Sequence, residues 1–111
     1  MFSPTLVPQS DQTAFLVEDD LGKFGRVFVE TDISRADRET TLNNLYMHQY
    51  NDPVRVIAFN TQEGWSRDVS SDFAFDLLRR ADLEGVELSG ALAEFVEFYT
   101  RRERQLSLRL A

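Results

Sequence analysis

The chain has no cysteine, which excludes disulfides, thiolate nucleophiles and zinc–thiolate sites. Histidine occurs once, at His48, so the usual nucleophile–base triads are left nearly without members. Long apolar runs are also missing: the longest are about four residues, where a membrane span needs about twenty. The N-terminus lacks a positive region followed by an apolar run, which argues against a secretory signal. Proline is scarce, and two of its three copies fall in MFSPTLVPQSDQ, the first twelve residues. That segment has no regular period and reads as disordered or extended.

Basic residues are outnumbered, with 12 Lys and Arg against 19 Asp and Glu and a formal charge of -7. The imbalance is uneven. Residues 1–98 hold eighteen acids and eight bases, while Arg101, Arg102, Arg104 and Arg109 face only Glu103 in the last thirteen residues. An acidic body repels phosphate backbones, whose neutralisation supplies most nonspecific nucleic-acid affinity. Nucleic-acid binding is therefore the weakest of three functional readings, carried by the arginine-rich end alone.

What remains is an ordinary globular composition: 111 residues, 42% hydrophobic and 28% charged, with nine phenylalanines and one tryptophan. The length suits one domain, expected over 13–111, and the compartment expected by default is the cytoplasm. No repeat or low-complexity block interrupts it.

Local patterns give an order of elements. Thr13–Glu18 (TAFLVE) and Arg26–Thr31 (RVFVET) read as strands of a β-hairpin, with Asp19, Asp20, Gly22 and Gly25 supplying turn residues. Ser34–Tyr50 reads as a helix, capped by Ser34 with Asp37 in a capping-box position and turning Leu42, Leu45 and Tyr46 inward. Asn51-Asp52-Pro53 stops it. Val54–Asn60 (VRVIAFN) is the strongest strand and reads as central, covered on much of both faces. Thr61–Gly64 is a turn leading to Trp65.

A second helix is expected over Ser70–Leu83, capped by Ser70 or Ser71, with Phe73, Ala74, Leu77, Leu78 and Ala81 as its apolar stripe and Gly85 as its left-handed end. A third is expected from Ser89 to about Arg104. Leu106 to Leu110 alternates strictly, which points to a closing strand, either paired inside the sheet or left as an edge that can add to a partner. The fold class is α+β, or mixed α/β: a small sheet of three to four strands with three helices in the order β-β-α-β-α-α, and with some parallel pairing allowed by the helical connection.

The run NDPVRVIAFNTQEGWSRDVS, with GRVFVETD upstream, resembles a family of small proteobacterial proteins of unknown function. The likeness covers roughly residues 13–100. It implies a bacterial cytoplasmic setting and brings no activity or site residue with it.

Several features invite chemistry and are weighed against plainer roles. Trp65, with Arg67 and Asp68 beside it, is either an aromatic anchor for a ligand or a side chain folded onto the core, its N–H satisfied by a carbonyl. The plainer role is favoured. His48 has Asp52 at i+4, but Pro53 ends the helix before that geometry can form, so a capping or solvated role is expected. Glu18-Asp19-Asp20 with Glu30 and Asp32 has oxygen ligands for a hard cation without EF-hand spacing, and reads as a solvated face. Gly22-Lys23-Phe24-Gly25 matches no nucleotide-binding motif, and no Gly-x-Ser-x-Gly elbow exists.

The off-stripe aromatics are more suggestive. Phe75 lies about 200° around its helix from Phe73, and Phe98 lies at the edge of its helix's stripe. Either can meet a neighbouring element or form an apolar patch for association.

The reading favoured by these residues is a small noncatalytic interaction or regulatory protein. It would need no cofactor or metal, would bind an unidentified protein partner or a second copy of itself, and would draw on contacts by Phe75, Phe98 or Trp65. The alternative is a small ligand-binding domain or enzyme using the Trp65-Arg67-Asp68 loop, with His48 contributing.

Overall fold

The computed structural model describes residues 13–29 and 37–110, with side chains described through residue 106. The expected N-terminal segment 1–12, the proposed cap Ser34 and the acids Glu30 and Asp32 lie outside the described residues. The fold is α+β. Strands β1 (Ala14–Asp20), β2 (Arg26–Val29), β3 (Pro53–Asn60) and β4 (Trp65–Asp68) form one sheet in the order β2-β1-β3-β4, all antiparallel. Helices α1 (Arg38–Tyr46), α2 (Ser70–Glu84) and α3 (Gly90–Leu110) complete it.

β1 runs two residues further than its apolar pattern reaches, through Asp19 and Asp20. Tertiary partners override the low strand preference of these acids. The Asp19 carboxylate accepts the backbone N–H groups of Asn51 (2.9 Å) and Asp52 (2.6 Å), while the Asp20 N–H donates to the Asp52 carbonyl at 3.0 Å. A β-bulge at Glu18/Asp19 makes room for this lock. The hairpin loop Leu21–Gly25 then closes on itself through a single 3-10 turn.

The sheet alternates as its pleat demands. Register pairs Val17 with Val56 and Phe15 with Ala58, which places these four on one face. Val17, Val56 and Ala58 join Leu42 and Leu45 of α1, Phe73, Ala74 and Leu77 of α2, and Leu92, Phe95, Val96 and Tyr99 of α3 in a single buried cluster. The helices therefore cover one face. On the other, Leu16, Ile57 and Phe59 are half-buried and stand apart from that cluster. β3 is central, as its composition predicts, and among the described residues the helices cover one of its faces.

Three expectations are corrected. Residues 106–110 are helical and belong to α3, so there is no closing strand there to pair or to add to a partner. No glycine or proline separates them from the preceding turns, and the alternation of leucines is not enough to end a helix. Trp65–Asp68, read as a turn, is edge strand β4. Three of its four residues are exposed and it carries no apolar alternation that could have revealed it. The connection between β2 and β3 is no parallel crossover: β3 pairs with β1, antiparallel. α1 is also shorter than expected at both described ends, starting from an Asp37 cap whose carboxylate accepts the Thr40 N–H at 2.7 Å.

The junction of sheet and helices falls at Ser70, which is 1% exposed. Beyond the last β3–β4 pair, Ile57 with Asp68, the ladder continues by other means. Val56 accepts the Val69 N–H at 2.9 Å, and its own N–H donates to Ser70 Oγ at 2.8 Å. Asp68 Oδ1 accepts both the backbone N–H (2.8 Å) and the hydroxyl (2.5 Å) of Ser70. Nearby, Tyr99 Oη donates to the Val54 carbonyl at 2.6 Å and pins α3 to the same strand. Ser70→Ala leaves the buried Val56 N–H without an acceptor and is expected to cost about 2–3 kcal/mol, measured as a lower urea midpoint at unchanged slope. Ser71→Ala, whose hydroxyl makes no hydrogen bond among the described residues, is expected to stay within about 0.5 kcal/mol of the parent.

Candidate interaction surface

Trp65 sits opposite Asn60 at the end of β3, on the helix-covered face, and packs half-buried against the core cluster. Its Nε1 donates to Glu63 Oε1 at 2.9 Å, a carboxylate where a carbonyl was expected. The Arg67 guanidinium lies over its ring at 5.3 Å. Asp68 is committed to Ser70, as described above. The three residues of the proposed loop therefore stand on an edge strand, two of them spent on local partners.

His48 is not on that strand but in the turn between α1 and β3. It precedes the Pro53 end of β3, while Trp65 is registered at the Asn60 end, and the strand's eight residues span about 3.3 Å each. His48 is the described non-glycine residue with positive φ, at 58°. It occupies the left-handed position after α1: its N–H donates to the Leu45 carbonyl at 3.1 Å, and the Gln49 N–H reaches back to Asn44 at 3.0 Å. This is a Schellman end, with histidine where glycine is usual.

The acidic cluster is not a solvated face. Glu18 and Asp19 are buried. Glu18 accepts Arg55 Nε at 2.7 Å and lies 3.7 Å from Arg26, both across the strands that flank β1. Asp20 meets Arg26 at 3.6 Å and accepts the Gly22 N–H at 2.8 Å. Arg55 also rests over the Phe28 ring at 5.9 Å. Among the described residues, no group of three His, Cys, Asp or Glu side chains is placed to hold a metal ion.

The flank of α2 toward α1 is closed by polar contacts. Arg38 pairs with Asp76 and lies over the Phe73 ring, Tyr46 Oη donates to Glu84 at 2.8 Å, and the Arg80 guanidinium covers the Tyr46 ring at 3.9 Å. The other flank packs on α3. What remains outward on α2 is a row that its buried stripe cannot include: Phe75, Leu78 and Leu83, bordered by Arg79 and Asp82. Phe75 is 39% exposed and Leu83 is 82% exposed. Leu78 was expected in the core stripe; it sits at the stripe's border and is exposed. On α3, Phe98 is exposed and holds its ring edge-on to Tyr99 at 4.9 Å. Leu83 and Leu78 were missed as surface residues because helical spacing locates a stripe but does not set its width.

No family model, curated protein or solved structure matches the chain. No helix among the described residues is long and apolar enough to cross a membrane.

Two outcomes are expected here. The left-handed conformation costs a side-chain-bearing residue about 1–2 kcal/mol, part of which glycine gives back through its freer unfolded chain. His48→Gly should therefore raise the stability by about 0.5–1 kcal/mol in denaturant melts; a loss would show that the imidazole itself is needed.

The second concerns tyrosine. The hydrogen bond to Glu84, with burial behind it, raises Tyr46 above the ordinary 10.0, and burial raises Tyr50 and Tyr99. All three hold their protons longer when folded, so their contribution to stability is intact below the unfolded value and falls as pH rises through the folded ones. Near-ultraviolet titration should show tyrosinate appearing later in the native chain than in denatured chain. Coincident curves would contradict it. Glu84 runs the other way: Tyr46 first, then Arg80, lowers it from 4.5, so its contribution is lost on acidification through the folded value.

Proposed function

We propose that this chain is a small noncatalytic protein-interaction protein that docks a partner on the outer face of α2. The observation carrying this reading is the contiguous row of Phe75, Leu78 and Leu83, left outward between a flank sealed by α1 and a flank packed on α3. Large apolar side chains grouped on one exposed helix face lose hydration on docking, and an aromatic among them is a common anchor. Arg79 and Asp82 at the border give the patch a polar rim. The net charge of -7 biases encounter toward basic partners. A bacterial cytoplasmic setting belongs to the same proposal, supported by the resemblance of residues 51–70 and the absence of cysteine.

The ligand-binding alternative finds less support. Trp65 gives its N–H to Glu63, Asp68 gives its carboxylate to Ser70, and His48 lies at the opposite end of β3.

The test is affinity capture from the native cell with the parent chain, a Phe75→Ser/Leu83→Ser variant and Trp65→Ala as baits. A partner held by the parent and by Trp65→Ala should be lost from the double variant, since removing anchor side chains costs about 2 kcal/mol or more each. A partner retained by the double variant but lost from Trp65→Ala would move the site to β4 and refute the α2 assignment.

A further inference from the structure

α3 has two rows. Leu92, Phe95, Val96, Tyr99 and Thr100 are buried against the body. A second row on the helix's flank, at helical spacing, is Ala91, Glu94, Phe98, Arg102 and Gln105. These lie seven and four residues before Phe98 and four and seven after it. Glu94, Phe98, Arg102 and Gln105 are exposed, and Ala91 is half-buried. The outer face they form also carries Glu97 and Arg101.

The order of charges along this face matters. Glu94 and Glu97 precede the phenylalanine and Arg101 and Arg102 follow it, and Glu94 and Arg102 stand at equal distances of four residues. We infer that this face is a homodimer interface in which α3 packs antiparallel on α3 of a second copy about a two-fold axis at Phe98.

A two-fold interface requires each patch to complement itself. Antiparallel pairing centred on Phe98 sets each residue opposite the one equally far on the other side. Glu94 then meets Arg102 of the second copy, Arg102 meets its Glu94, and the two phenylalanines meet at the axis. Parallel pairing would set Glu94 on Glu94 and Arg102 on Arg102, which is repulsive. Pairing centred elsewhere would bring charges onto the ring.

Two observations show that the face is free to do this. Glu94 and Arg102 make no ion pair among the described residues, whereas their neighbours Glu97 and Arg101 pair with each other at 2.6 Å. Phe98 is 59% exposed, with its ring edge-on to Tyr99 at 86°, so its outer side is open to a partner. Ala91 and Gln105 close the two ends, a small residue against a long one.

The row spans fourteen residue steps, about 21 Å of helix. A single helix pair of that length buries less than the ~1,200 Å² of a stable interface. The dimer is therefore a weak, concentration-dependent one. It leaves the α2 row uncovered and does not depend on what binds there.

Sedimentation equilibrium of the full chain from micromolar to millimolar concentration tests it. The parent should show a monomer–dimer equilibrium. Glu94→Arg alone and Arg102→Glu alone each place like charges at both symmetric contacts and should raise the dissociation constant about tenfold or more. Phe98→Ala should do the same. Mixing the two single charge variants should produce a heterodimer of parental strength, because every contact is again opposite in sign. The double variant Glu94→Arg/Arg102→Glu should also dimerise. Restoration on mixing excludes misfolding as the cause of the single losses. A parent that stays monomeric throughout overturns the inference. So does a dimer indifferent to these substitutions, or single variants that fail to associate when mixed.

Discussion

The hydroxyl of Ser70 bridges the two layers of the molecule. It accepts the Val56 N–H from the centre of the sheet and donates to the Asp68 carboxylate at the end of the edge strand. Its own residue opens α2. A strand-to-helix transition normally leaves unpaired backbone on both sides, the last ladder positions of the strand and the first N–H groups of the helix. Here two side chains divide the work: Ser70 Oγ accepts the Val56 N–H of the strand, and Asp68 Oδ1 accepts the Ser70 N–H at the start of the helix, where the expected serine cap is not formed. With Val69 completing the exchange at Val56, the start of α2 is fixed against the strand on which Phe73 and Leu77 must pack. The position of α2 sets that of α3, which joins the same cluster and is tied to β3 by Tyr99. The outward rows of both helices are consequences of how that junction orients them.

Charge is used inside the sheet more than its acidic total suggests. Buried carboxylates are costly unless paired and hydrogen-bonded. Glu18 meets this condition with Arg55 and Arg26, and Asp19 with two backbone N–H groups of the turn before β3. These acids fasten β1 to its neighbours on both sides, and that accounts for a cluster which resembles a cation site in sequence. The arginines they consume are withdrawn from the surface field. The charges of α3 stand out for that reason: Glu94 and Arg102 make no ion pair among the described residues.

Much of the architecture was legible in the sequence. The hairpin, the three helices, the central strand and the buried stripe of α2 were found through apolar periodicity, and the Gly85 end through its left-handed requirement. The failures share one cause, that the deciding contacts are tertiary. β4 shows no alternation because Trp65 is its one apolar residue and the rest of this edge strand is polar. The last turns of α3 alternate in hydropathy by chance of composition, and only their continuity with the preceding helix decides their conformation. Asp19 and Asp20 read as turn residues until the loop that binds Asp19 is folded beside them. The outward position of Phe75 and Phe98 was legible from their angle to the stripe, whereas the commitments of Trp65 and Asp68 became visible only with their partners in place.

The sheet's own edges bear on where association can occur. An open edge offers unpaired N–H and C=O groups to another chain unless it is short or charged. β4 is four residues long, and the described part of β2 is four residues as well. β2 begins at Arg26, held by Glu18 and Asp20, and β4 exposes Ser66, Arg67 and Asp68. Both edges are thus poor templates for strand addition, and the loss of a C-terminal strand from the fold removes the only other candidate the sequence offered. Recognition by backbone pairing is disfavoured at the points where a small sheet is usually vulnerable. Exposed apolar side chains lie on the β1–β2 hairpin as well as on α2 and α3, but on the helices backbone groups are satisfied internally and specificity rests on side chains. On such surfaces, the order of charges around an aromatic determines which partner fits, and on α3 that order is its own complement.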